Sequence, residues 1–201
     1  MEKVIVYSNP TSPAVEDYRI LCANVLSLQR DKKVIEVAGV TNENSANLVV
    51  ANLAVAIAQT GQRILLVDCN LRNPQLHDIF GLQNQGLTDC LISVQDYQSF
   101  IKETAQQNLY LLTAGTMPSN PVKTLLSQPM EALLKTMRED YDIVLLALPA
   151  IGVVADAVVI GSQTDGAIII VKNKEDKVAN VQIAKDNLLK AGVFIYGCIL
   201  N

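Results

Sequence analysis

The sequence predicts an α/β fold of three layers, a mostly parallel central sheet with helices on both faces. Three observations predict it. Short runs that are apolar throughout, such as RILLV (63–67) and AIIIV (167–171), are strands buried on both sides, as in a parallel sheet under helices. They alternate with longer segments bearing helix start and stop signals, which is the pattern of βα units. Finally, a chain of 201 residues, 50% of them hydrophobic, is long enough for one domain with a sizeable core.

Taken in order, residues 1–30 form an N-terminal extension: an extended lead, then a helix over 16–28 with Ser12 and Pro13 as cap and first-turn residue. The run KVIEVAGV (33–40) is a buried strand, followed by a polar turn and a buried helix over 48–58. Gly61 stops that helix through a left-handed conformation. Strands follow at 63–67, 109–113, 143–148, 167–171 and 194–200, with helices at 129–138, 157–163 and 177–191. The least regular segment, 83–107, is an excursion with short helices. Residues 33–201 make the core of a single domain spanning 1–201, with no internal repeat or linker.

Composition narrows the function. A formal net charge of -4 with 18% charged residues gives no footprint for nucleic acid. No apolar run reaches the ~20 residues that span a bilayer, and MEKVIVYSNP (1–10) lacks a signal peptide's apolar stretch, so a cytoplasmic protein is expected. Cys22, Cys69, Cys90 and Cys198 are scattered, with no CxxC pair and His77 as the sole histidine. They read as reduced thiols in or near a core, and no metal site is expected.

Ligands of such sheets bind beyond the carboxyl ends of the strands, here after Val40, Val67 and Leu146. At those places, and in SPAVEDYRILCAN (12–24), ILLVDCNLRNPQLHDIFG (64–81), NQGLTDCL (84–91) and NLYLLTAGTMPSNP (108–121), the chain resembles the cytoplasmic domain of bacterial tyrosine kinases. These BY-kinases regulate capsular and exopolysaccharide export. The resemblance covers nearly the whole chain and implies a P-loop NTPase-like fold of the MinD/ParA superfamily, Mg-ATP as the family's cofactor, and rings held by a Glu and two Arg on the N-terminal helix. The family's tyrosine-rich tail would follow the last strand.

The positions that carry chemistry depart from that pattern. A P-loop needs glycines that let backbone N–H groups wrap phosphate, a lysine and a Mg²⁺-binding hydroxyl. The matching loop here, VTNENSANL (40–48), has no glycine and is about three residues shorter. Its degenerate nucleotide-binding positions are Asn44, Ser45, Ala46 and Asn47, with Ala46 at the lysine position and Asn47 at the hydroxyl position. The second Walker motif keeps Asp68 as a residual catalytic candidate, but Asn70 replaces its second acid, and Arg72 matches a position near the nucleotide. The Walker B aspartate position is Ala147. Glu16 and Arg19 keep the oligomerisation spacing, while the second arginine position is Cys22.

The bland readings are equally concrete. Asp68 without metal partners reads as a cap on the next turn, Arg72 as a surface or intersubunit ion pair, His77 as packing beside Phe80, and Asp156 as a helix cap. Asn42, Asn44 and Asn47 read as turn and cap residues. The loop should run over 41–47, with a helix starting near Ser45 and capped by the Ser45 hydroxyl or Asn44 amide. The leading expectation is a catalytically degenerate regulatory or scaffold partner in polysaccharide export, with no cofactor and weak or absent Mg-ATP binding. Its partner would be the cytoplasmic part of a membrane chain-length determinant (a polysaccharide co-polymerase) or an active paralogue, which would recruit it to the inner face of the membrane. A homo-oligomer remains open, with monomer or dimer favoured over the ring. The alternatives are a kinase or ATPase of the same family with residual nucleotide use, and a ParA/MinD-like positioning scaffold.

Overall fold

The structure, a computed structural model, describes residues 1, 3–27, 32–41, 43–93 and 96–201, and for residues 43 and 44 the backbone alone. The strands β1 (Val34–Gly39), β2 (Ile64–Asp68), β3 (Lys102–Glu103), β4 (Leu109–Leu112), β5 (Ile143–Leu148), β6 (Gly166–Val171) and β7 (Ile195–Leu200) form one seven-stranded sheet in the order β3-β4-β2-β5-β1-β6-β7. All pairs are parallel except the short β3–β4 pair. Every residue of β1, β2 and β5 is buried, as a doubly covered sheet requires.

Alternation along the strands splits the core in two. One face packs Ile35, Val37, Leu66, Leu145 and Ile170 under α1 (Ile5–Ser8), α2 (Pro13–Ser27), α3 (Glu43–Ala58) and α4 (Leu76–Phe80). The other packs Val34, Ala38, Val67, Leu146 and Ile169 under α5 (Leu87–Ile92), α6 (Pro121–Leu125), α7 (Gln128–Asp140), α8 (Asp156–Ile160) and α9 (Val178–Lys190). Helix α3 is apolar on all sides because α1 and α2 cover its outer surface. It ends where Gly61, at φ 92, adopts the left-handed turn. In α7, Ser127 Oγ accepts the Met130 N–H at 3.3 Å, and Met130, Leu133, Leu134 and Met137 make the buried stripe.

Several expectations need correcting. The lead is not extended, since Ile5–Ser8 is helical: Val4 and Val6 are buried and the Val6 N–H donates to Asn52 Oδ1 at 2.9 Å. The helix over 157–163 divides into α8 and a 3-10 turn at Gly161–Gln163. The segment 83–107 does hold short helices as expected, α5 and the 3-10 turn Tyr97–Phe100, and it also carries the edge strand β3. Leu28, where the N-terminal helix was expected to end, lies outside the described residues, as do residues 29–31. Cys22, Cys69 and Cys90 are buried free thiols, but Cys198 is exposed on the edge strand β7. Among the described residues no helix is long and apolar enough to cross a membrane.

Candidate functional site

Strands β2, β5 and β1 are adjacent in the sheet, so the segments after Val40, Val67 and Leu146 meet at one end. Asp68 pairs in register with Ala147, which pairs on its other side with Val37. Residues 40–42 alone link β1 to α3. The helix starts at Glu43, two residues before Ser45. Ser45 and the Asn44 backbone therefore lie inside the first turn and not at the cap. Asn42, and the side chains of Glu43 and Asn44, lie outside the described residues.

The short link is tied down on both sides. Val40 N–H donates to Ile170 O at 3.1 Å, and Ile151 and Gly152 N–H groups donate to Gly39 O and Val40 O, each at 3.0 Å. The Thr41 hydroxyl donates to Asp176 Oδ1, while Asp176 Oδ2 accepts the Lys172 N–H at 2.7 Å. Ala46, at the lysine position, is packed in the core, and Asn47 is equally buried. Its Nδ2 donates to Gln75 Oε1 at 3.2 Å.

Asp68 is fully buried. Its Oδ1 accepts the Asn70 N–H at 3.1 Å, and its Oδ2 accepts the N–H groups of Gln75 and Leu76 at 3.1 and 3.0 Å. The carboxylate thus caps the start of α4 and organises the turn after β2, as an acid that accepts several backbone donors does. Asn70, also buried, accepts the Asn73 N–H at 3.2 Å through Oδ1. Asp68, Gln75 and Asn47 form a relay joining β2's end to α3. Gln75 escaped the sequence reading, since nothing local marks a glutamine before an apolar run as a link to a residue 28 positions away.

Arg72 is turned elsewhere. Its Nε and Nη2 donate to Asp156 Oδ2 and Oδ1 at 3.0 and 3.1 Å, a bidentate pair that raises the guanidinium above its ordinary value. Asp156 is the first residue of α8, not its N-cap, which is Ala155, and both its carboxylate oxygens accept from Arg72, so it serves as an ion-pair partner where a helix cap was expected. Ala147 is wholly buried. The Cys69 thiol beside it is pushed well above its usual range by burial, then by the charges of Asp68 and Glu36, so it is unsuited to be a nucleophile at neutral pH. Among the described residues no group of three His, Cys, Asp or Glu side chains could hold a metal ion.

The oligomerisation positions stand apart from this end of the sheet, on α2. Arg19 Nη1 meets Glu16 Oε2 at 2.9 Å on the exposed face of the helix. Cys22 faces the core instead.

No protein-family model matches the chain. It is 31% identical over 200 residues to the putative tyrosine-protein kinase CapB of Staphylococcus aureus, covering 98% of this chain and 87% of that protein. To the tyrosine-protein kinase YwqD of Bacillus subtilis it is 31% identical over 201 residues, covering 98% and 85%. Among solved structures, the chimerical protein CapA2B2 superposes with a TM-score of 0.94 at 29% identity over 100% of this chain and 90% of that one. The septum site-determining protein MinD of Pyrococcus horikoshii, complexed with Mg-ADP, superposes with a TM-score of 0.70 at 26% identity over 84% and 70%.

Proposed function

From the premise that the chain belongs to the bacterial tyrosine-kinase (BY-kinase) family, with the fold of P-loop ATPases, we propose a catalytically silent member acting as a regulatory or scaffold partner in capsular or exopolysaccharide biosynthesis and export. One observation carries the reading. The lysine, hydroxyl and Walker B positions are Ala46, Asn47 and Ala147, and both oxygens of the remaining acid, Asp68, are engaged by backbone N–H groups. Phosphoryl transfer is accelerated mainly by positioning and charge neutralisation. This end of the sheet supplies neither.

The partner that fits is the cytoplasmic part of a membrane chain-length determinant or an active paralogue, which would bring the domain to the inner face of the membrane. The MinD-like alternative has the weaker support, matching less of the chain and with the lower TM-score.

Calorimetric titration with Mg-ATP and Mg-ADP tests the proposal. Charge-assisted contacts contribute roughly 1.5–3 kcal/mol each. Loss of two, the lysine and the Walker B acid, weakens binding by about two to four decades, so no saturation is expected below the millimolar range. Micromolar affinity, or tyrosine phosphorylation by the purified protein, would overturn it.

A further inference from the structure

Glu36 is a carboxyl in the middle of the sheet's apolar interior. It lies on β1, flanked in register by Leu146 of β5 and Ala167 of β6. Its relative exposure is 1%, and among the described residues neither Oε1 nor Oε2 has a hydrogen-bond partner. The side chain points to the face covered by α8. A Cβ added at Gly161, where α8 passes into its 3-10 turn, would stand 3.2 Å from Glu36 Oε1 and 2.2 Å from Val193 Cγ2. A side chain here would clash with Val193 and crowd the carboxyl, so glycine lets the helix end settle against both.

Among the described residues the groups around it offer no counter-charge. On the strand ends it faces the Cys69 thiol, itself held protonated. Helix α8 carries Asp156, already paired with Arg72. On α7, Arg138 is paired with Asp165 at 2.6 Å. The charges of α9, Lys185, Asp186 and Lys190, are exposed or half-exposed. An unpaired carboxylate is far costlier to bury than the neutral acid.

We infer that Glu36 is a proton-operated latch: while protonated it lets the Gly161 end of α8 and Val193 close on the sheet, and its ionisation loosens α8. The reaction is loss of the carboxyl proton to solvent, with no other group changed. Burial raises the folded-state value from 4.5 to about 8. Between those values the closed form holds a proton that the open form does not, so closure is fully favoured below 4.5 and progressively lost as pH rises through about 8. The open fraction accordingly rises roughly fiftyfold from about pH 6 to about pH 8.

Two measurements on the whole chain test the latch. Carbon-13 NMR of the glutamate carboxyls in the unmutated protein should show one group titrating near 8, as the burial of Glu36 requires. Hydrogen exchange, corrected for its intrinsic pH dependence, should show α8 amides losing protection by more than tenfold over the same interval, and by less than twofold in Glu36→Gln. The inference fails if every glutamate titrates in the ordinary range, if α8 protection is independent of pH, or if Glu36→Gln keeps the wild-type dependence. Should Glu36→Gln not fold, the unmutated protein decides: α8 protection must fall with the same midpoint as the raised carboxyl titration, and a pH-independent α8 overturns the latch.

Discussion

At the scale of single residues, Asp68 and Arg72 have structural work, and its energetics can be measured. Asp68 accepts three backbone N–H groups from a fully buried position. Asp68→Ala orphans those donors and should cost about 3–5 kcal/mol in urea unfolding, with Asp68→Asn closer to 1–2 kcal/mol because one acceptor oxygen remains. A loss below about 1 kcal/mol for the alanine variant would mean that water replaces the carboxylate. The Arg72–Asp156 pair should be asymmetric. Asp156 has no exposed side-chain surface while Arg72 has 38%, so Arg72→Ala strands a buried charge whereas Asp156→Ala leaves an arginine that can turn to water. The first should destabilise by about 3 kcal/mol and the second by clearly less, and equal losses would refute the asymmetry.

At the scale of elements, the three spaced positions on α2 do not share one face. Three residues advance a helix by 300°, so each step in the series Glu16, Arg19, Cys22 drifts by about 60° around the axis. The first two stand in solvent and the third is in the core. Replacing Cys22 by arginine to restore the family pattern should therefore not rebuild a ring. It buries a charge and should cost about 3 kcal/mol or more, while Glu16→Ala removes an exposed pair worth under about 1 kcal/mol. Light scattering should give a monomer or dimer for the natural chain, and a stable octamer at micromolar protein would overturn that. The long elements were legible because their signals are local: apolar runs for β1, β2, β5 and β6, and the Gly61 stop for α3. Helices α1, α4 and α6, of four to five residues, and the two-residue strand β3 are too short to show a period, and only tertiary packing creates them.

At the scale of the whole molecule, the candidate site is a property of sheet order. Residues from three separated segments meet because β2, β5 and β1 are neighbours. The matching positions could be read from motif order along the chain. Their present partners, Gln75 for Asn47 and Asp156 for Arg72, could not, because both contacts join segments with no local relation. The isolated acid in KVIEVAGV was a visible signal of Glu36, since one charge inside an otherwise apolar run marks either a partner or a raised pKa. If the proposed loss of nucleotide binding is correct, restoring single side chains should not bring it back. Ala46 and Ala147 are both buried, and only residues 40–42 connect β1 to α3, so a new lysine or aspartate would enter packed interior with no loop to wrap phosphate. The triple variant Ala46→Lys, Asn47→Thr, Ala147→Asp should show no micromolar Mg-ATP affinity by calorimetry. The single Ala46→Lys variant, compared by urea unfolding, should lose about 3 kcal/mol or more. Micromolar binding by the triple variant would show that side chains, and not the shortened and tied link after β1, keep this end of the sheet closed to nucleotide.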